Sequence, residues 1–317
     1  ACNGLPLGQY AFAVTRENQL FLARDPLGCN KMFFGYDTTG RLVVANRLRQ
    51  LWRNGVPLSE IMSCPPGRIL EISAASVHDA GGKDILAQPV DPDFSHAAFS
   101  RRVGATLDET FRSLAMQFAG VRFVVCLSGG LDSSVIASFA ARHLTGVTAI
   151  SFTYLDEADL QLLAVGTPMD QLATASDDFR SATNVAGALK MPFLASVRSR
   201  FAVADSIRAS VALCQDWRDF NVHCATVNLF LAQDIRALFP DETVVVLTGD
   251  LMNEYVCDYT EETVDGDRFY RIPRIPPDRL RRHFVRGLDA GDREIGVFEA
   301  YGLIPCQPFA TLAAHYL

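Results

Sequence analysis

The chain has 317 residues, 49% of them hydrophobic and 21% charged, and a formal net charge of −7 at pH 7. That length implies two domains rather than one core, and the composition is globular rather than disordered. The acidic balance without a Lys/Arg-rich run argues against a nucleic-acid surface, and no apolar run reaches the ~18–20 residues of a membrane span.

Up to about residue 75 the pattern is β. Apolar runs at 10–14, 19–23, 32–36 and 42–45 are separated by turn signals at 16–18, 25–28 and 37–40. Residues 47–53 read as a short helix and 67–72 as another strand. Residues 76–95, rich in Asp, Gly and Pro, read as a linker. From about 96 the pattern alternates: helix 96–118, strand 121–127, helix 133–143, strand 147–154, helix 177–189 and strand 192–197. A long helix follows over 205–238, in one or two pieces, then strand 243–248. Such alternation implies a parallel sheet covered on both faces, so the expected class is α/β with a β-rich front.

The eight cysteines, at 2, 29, 64, 126, 214, 224, 257 and 306, form no CxxC pair. They read as buried, reduced thiols of a cytoplasmic protein, and the first residues do not form a basic-then-apolar signal peptide. On spacing alone, Cys214, His223 and Cys224 leave a zinc site open.

The densest chemical signal lies at 123–136. An apolar run ends at Leu127, turns through Ser128, Gly129 and Gly130, and restarts behind Leu131, Asp132, Ser133 and Ser134. That reads as strand, tight turn and helix. The glycines let backbone approach a ligand, and the first N–H groups of the helix face the turn. The serines add hydroxyls, and Asp132 adds a carboxylate suited to Mg²⁺ carried by a polyphosphate. No Gly-Lys-Ser/Thr triplet occurs, so this is not the Walker loop. An ordinary glycine-rich connection is the competing reading.

Ser-Gly-Gly-Leu-Asp-Ser-Ser over 128–134 resembles the pyrophosphate (PP) loop of the N-type ATP pyrophosphatases, which are adenine-nucleotide alpha-hydrolase-like and adenylate a substrate oxygen. Residues 22–28, Leu-Ala-Arg-Asp-Pro-Leu-Gly, with 10–13 before and 64–67 after, resemble the second half of a class II glutamine amidotransferase (Ntn-type) domain. Asparagine synthetases carry that domain directly upstream of the loop. Residues 247–255, with Asp258 and Tyr259, resemble the later synthetase signature, and Asp292, Arg293, Glu299, Pro308 and Phe309 the segment after it. Most of the chain is thus similar to the asparagine synthetase and β-lactam synthetase family. The resemblance implies a degenerate amidotransferase-like domain over 1–75, a linker over 76–95 and an ATP-pyrophosphatase synthetase domain over 96–317.

The chain departs from the family at three places. Ala1 precedes Cys2, where a class II glutaminase begins on its cysteine, and the glutamine-binding stretch is absent before Gly8, so this chain alone is not expected to hydrolyse glutamine. No lysine follows Lys190, whereas lactam-forming relatives use one near their end. Asn253 stands where relatives have a metal-binding Asp, and Asp250 where they have Glu or Tyr.

By resemblance, ATP sits on residues 127–134 with help from Gly249, and its adenine on Ser151, Phe152 and Thr153. Mg²⁺ is expected on Asp132 and Asp250. Asp250 and Glu254, the latter matching the family Glu, are the catalytic candidates, and helix N-terminal charge stabilisation is the competing account. Asp216, Arg218, Asp219 and His223 fall where relatives meet substrate, against a solvated helix face or a satisfied buried network. His223 is a candidate general base. Arg271, Arg274 and Arg293 are candidates for pyrophosphate. The expected activity is an ATP-dependent, AMP- and pyrophosphate-forming ligase that joins a carboxylate to an amine as an amide or lactam in specialised biosynthesis. The expected partners are the small-molecule carboxylate and amine, with no nucleic acid and no membrane. A homodimer, or association with a separate glutaminase or C-terminal segment, stays open. The rivals are glutamine-dependent amidation with the glutaminase supplied elsewhere, a non-catalytic ATP-binding regulator, and a tRNA-modifying pyrophosphatase relative.

Overall fold

The computed structural model describes residues 8–17, 19–73, 76–82, 95–251, 261–264, 267–270 and 292–311. They form two compact units, one from within 1–103, 251–290 and 309–317, the other from within 104–250 and 291–308.

The first unit is β-rich, as its runs of apolar residues predict. Its strands are β1 (Ala11–Arg16), β2 (Gln19–Arg24), β3 (Phe33–Tyr36), β4 (Leu42–Ala45), β5 (Met62–Ser63), β6 (Arg68–Ile72) and β7 (Val77–Gly82). They pair antiparallel in two sheets, β1-β2-β6-β7 and β4-β3-β5. Leu20 and Leu22 of β2, Leu70 and Ile72 of β6 and Phe34 of β3 share one core with Met32 and Cys64. Phe33, one residue earlier, points to the other face. There it packs with Leu51 of α1 (Leu48–Arg53), Val56 and Ile61. Each such side chain, fully buried, contributes about 1.5–3 kcal/mol.

Arg24 and Asp25 are buried between these strands. Asp25 accepts from the Cys29 and Asn30 backbone N–H groups, and Arg24 donates to the Gly28, Asn30 and Cys64 carbonyls. This turn therefore satisfies its own buried charge.

Residues 77–82, expected within the linker, instead form β7 beside β6, with a register irregularity at Ile69/Leu70. The strand is exposed along its length and ends in two glycines, so no apolar alternation marks it. The first unit also holds a hairpin, β12 (Glu261–Val264) and β13 (Asp267–Tyr270), not foreseen from the sequence.

The second unit is the expected parallel α/β layer. Its sheet, β10-β9-β8-β11-β14, is built from β8 (Arg122–Cys126), β9 (Val147–Leu155), β10 (Phe193–Ser199), β11 (Val244–Leu247) and β14 (Ile304–Cys306). All neighbours are parallel. Helix α2 (His96–Gln117) precedes β8 and α3 (Leu131–His143) follows it. Then come α4 (Glu157–Ala164), α5 (Asp177–Ala188), α6 (Arg200–Cys214), α7 (Asp219–Leu238) and α8 (Ile295–Glu299). All four residues of β11 are buried, as a central parallel strand requires. Val124, Ile150, Val244 and Val246 from three strands meet Leu231, Ala232 and Ile235 of α7 and Phe298 of α8.

The long helix starts at Arg200 rather than 205, because Ser199 caps it by accepting from the Ala202 N–H at 3.1 Å. It breaks at Gln215, whose φ of 52° is left-handed. β14 was not foreseen, since Pro305 argues against a strand; the structure puts it at the sheet edge, where proline is tolerated. Among the described residues no helix is long and apolar enough to cross a membrane.

Candidate active site

From β8 the chain builds outward to β9 and β10 on one side, then returns through β11 to the other. Strand order therefore reverses between β8 and β11, the switch point at which open parallel sheets bind ligands beyond their carboxyl ends. Behind β8 lies Ser128–Gly129–Gly130, and behind β11 lies Thr248–Gly249–Asp250.

The loop is held by its own hydroxyls. Ser133 Oγ accepts from the Ser128 N–H (3.2 Å), donates to the Gly130 carbonyl (3.1 Å) and lies 3.0 Å from Ser128 Oγ. Ser128 Oγ accepts from the Gly130 N–H, and Ser134 Oγ donates to the Gly130 carbonyl. The serines, expected as donors to a ligand, thus shape the turn. α4, α5 and α6 are capped by Asp156, Ser176 and Ser199. α3 opens on Gly130 with no side-chain cap, so its first N–H groups have no capping side chain, and the positive end of its dipole faces the turn. Asp132 lies in this first turn, and Leu131 is 79% exposed.

Two glycines permit this arrangement for different reasons. Gly129 has φ +80°, and a Cβ there would lie 2.5 Å from Ser181 Cβ and 2.6 Å from the Ala182 N of α5. Gly249 has no such φ, but a Cβ would lie 2.7 Å from Ser133 N. The end of β11 thus packs against the first turn of α3. Thr248 Oγ1 beside it is buried and has no hydrogen-bond partner among the described residues.

Asp250 meets a residue the sequence did not flag. Glu294, 7% exposed, accepts from Arg293 Nε at 3.0 Å and from Gln307 Nε2, and feels the Asp250 charge. Burial pushes the Glu294 carboxyl well above the usual range, the Asp250 charge adds to the push, and Arg293 pulls the other way. Its position directly after Arg293 was the only available signal, and nothing in the sequence pairs it with Asp250.

Asp216 and Arg218 come together and use each other. Asp216, buried, accepts from the Arg218 N–H (2.9 Å), Arg218 Nε (3.0 Å), Arg218 Nη2 (2.6 Å) and Asn221 Nδ2 (2.6 Å). Burial opposes its charge, but those bonds outweigh it and hold the carboxyl down at about 2. Asp219 and His223 instead pair on the surface, with side chains 90% and 73% exposed. Trp217 and Phe220 are also exposed, and Arg293 lies 4.9 Å over the Phe220 ring. Ser151 and Thr153 are buried; Thr153 Oγ1 accepts from the Ser176 N–H at the start of α5, and Phe152 stacks on Phe230.

Asn253, Glu254, Asp258, Tyr259, Arg271 and Arg274 lie outside the described residues. Among the described residues no three His, Cys, Asp or Glu side chains form a metal-holding group, and Cys214, His223 and Cys224 are not gathered into one.

The family model described as asparagine synthase matches residues 103–294. The chain is 29% identical over 155 residues to an asparagine synthetase [glutamine-hydrolyzing] of Brassica oleracea, covering 45% of this chain and 23% of the relative. Over 144 residues it is 29% identical to asparagine synthetase [glutamine-hydrolyzing] 2 of Arabidopsis thaliana, covering 43% and 23%. The match thus spans about a quarter of these relatives' own length. Among solved structures, the NH3-dependent NAD synthetase of Campylobacter jejuni is similar at 13% identity and a TM-score of 0.32, covering 50% of this chain and 60% of that one. The NMN synthetase of Francisella tularensis is similar at 19% and 0.31, covering 52% and 58%. With the family model spanning well over half of its residues, the chain belongs to the asparagine synthase family.

Proposed function

We propose that the chain is an ATP-dependent carbon–nitrogen ligase that adenylates a small-molecule carboxylate, releases pyrophosphate, and passes the acyl group to an amine with release of AMP. The observation that carries this is the glycine-opened start of α3 at the strand-order switch, braced by Gly249. A helix start of that kind suits a polyphosphate, because uncapped N–H groups and the helix dipole both favour negative charge. The buried Thr248 hydroxyl beside it, which has no partner among the described residues, is a second polar group that a ligand could meet.

In this reading the N–H groups behind Gly130 take the charge that grows on the leaving pyrophosphate. Asp132 and Asp250, hard oxygen donors, would hold Mg²⁺, which supplies charge neutralisation on the phosphates; such an ion needs one or two carboxylates, not a full protein cage. Asp250 would face the incoming amine. Thr153 ties β9 to the start of α5 on the side assigned to adenine. We read residues 1–75 as class II amidotransferase-like, and the amine as part of a substrate in specialised biosynthesis. The reduced cysteines among the described residues fit a cytoplasmic setting.

ATP–pyrophosphate exchange over a panel of amino acids and N-modified amino acids tests the reading. Exchange that depends on one acid and disappears in Asp132→Ala is expected. ATP binding without any exchange would instead favour the regulatory alternative, or a chain that needs further segments to turn over.

A further inference from the structure

Residues 156–176 connect β9 to α5 and carry α4 and a buried carboxylate to which the proposed reaction gives no part. Asp159, 5% exposed, accepts from the Thr174 N–H and from Thr174 Oγ1, each at 2.6 Å. With its one proton given to Asp159, Thr174 Oγ1 accepts from the Asp156 N–H at 3.2 Å. Asp156 in turn caps α4 by accepting from the Asp159 N–H at 2.9 Å. The two ends of the connection thus close on each other. Leu155 of β9 and Leu172 form a cluster beneath them, against which Leu160 and Leu163 of α4 and Val197 of β10 pack.

The start of α5 follows directly from this closure. The Ser176 N–H donates to Thr153 Oγ1 of β9 at 3.3 Å, and Ser176 Oγ caps α5 by accepting from the Phe179 N–H at 3.2 Å. Arg180, in the first turn, donates back to the Leu172 carbonyl at 2.6 Å and the Ala175 carbonyl at 3.3 Å. The opening of α5 is also the backing of the turn behind β8. A Cβ on Gly129 would lie 2.8 Å from the Asp178 carbonyl oxygen, 2.5 Å from Ser181 Cβ and 2.6 Å from Ala182 N. The Gly129 backbone therefore lies against α5 with no side chain of its own between them. Close-packed interiors transmit displacement, so a shift of α5 reaches the turn.

We propose that Asp159 is a positioning residue for the turn at Ser128–Gly130: by closing Thr174 onto α4 it sets the start of α5, and α5 sets the Gly129 backbone. This rests on the reading that the turn and the start of α3 hold the phosphates of ATP. Loss of the Asp159–Thr174 contact then weakens the binding of ATP more than that of adenosine.

The test is calorimetric titration of the full chain with ATP and Mg²⁺ and, separately, with adenosine, each well below the melting midpoint of the variant used. Asp159→Ala is expected to raise the Kd of ATP about tenfold, the scale of one lost charged hydrogen bond, and that of adenosine by less. Asp159→Asn, which keeps an acceptor oxygen, recovers part of the loss. Thr174→Val follows Asp159→Ala, while Thr174→Ser stays within about twofold of wild type; these two read the same contact should Asp159→Ala fail to fold. A thermodynamic cycle separates positioning from general weakening. Where Gly129→Ala has already displaced the turn, adding Asp159→Ala is expected to change the Kd of ATP by less than about twofold. Unchanged ATP affinity in the Asp159 and Thr174 variants overturns the inference and leaves the ligase reading intact. So do equal losses for ATP and adenosine, or a full tenfold loss on top of Gly129→Ala. A wild-type chain that does not bind ATP with Mg²⁺ overturns the phosphate-binding reading, and the inference with it.

Discussion

At the scale of single residues, the loop behind β8 separates groups that shape it from groups left for a ligand. Ser133 is the hub of the turn, and its neighbour Ser134 makes one bond on an exposed edge. Ser133→Ala orphans the Ser128 N–H and is expected to destabilise the chain by about 1–3 kcal/mol, whereas Ser134→Ala should cost about 1 kcal/mol or less. Paired thermal or urea unfolding of the two variants checks this; equal effects would mean the hydroxyl geometry is not what holds the turn. The glycines divide in a similar way. Gly129→Ala combines left-handed strain of about 1–2 kcal/mol with a clash on the α5 backbone. Gly249→Ala carries only the clash, at Ser133 N, so it shifts the first turn of α3 with less backbone strain. Both are expected to lose at least about tenfold in ATP affinity, with Gly129→Ala the less stable, as read by calorimetric titration and melting.

At the scale of elements, the turn between α6 and α7 shows what periodicity can and cannot reveal. Apolar spacing carries through 200–238 as though one helix ran there, and only local chemistry breaks it: Gln215 turns left-handed, and Asp216 closes on Arg218 and Asn221. A left-handed glutamine has no sequence signature of the kind glycine gives. α4 and β14 were missed for related reasons, one being short, the other containing Pro305. The Asp216 clasp makes a stability prediction with a definite sign. Its folded carboxyl lies at about 2 against about 3.9 unfolded, so its contribution, on the order of 2 kcal/mol, is present above about pH 4 and is lost as pH falls towards 2. Asp216→Asn should therefore be the less stable protein at pH 6, and the gap to wild type should close below about pH 3. A gap that stays constant through acid unfolding would show that Asp216 acts through shape rather than charge.

At the scale of the molecule, the parallel sheet and the place of the loop were legible because β-strand runs and a glycine turn are local signals. Ser128 to Asp132 announce themselves within seven residues of a strand. The other half of the site was not legible, since Asp250, Glu294 and Gln307 come from separated segments joined only by folding. Conversely, Asp219 and His223 looked functional because polar residues interrupt an apolar helix, yet they share a solvated face. The central position of the loop also gives nucleotide binding a global consequence. α3 connects β8 to β9, two adjacent inner strands of the second unit's sheet, so the unit cannot unfold while ATP is held on the start of α3. A ligand that binds only the folded state at about a hundred times its Kd stabilises by about 2.7 kcal/mol. For a unit of this size that raises the melting temperature by about 5–10 °C. Because the attraction is for phosphate charge, ATP with Mg²⁺ should give this shift, ATP with EDTA a smaller one, and adenosine little. Asp132→Ala should lose the Mg²⁺-dependent part. An equal shift with adenosine would place the affinity in the base pocket and remove the main support for phosphate binding at the start of α3.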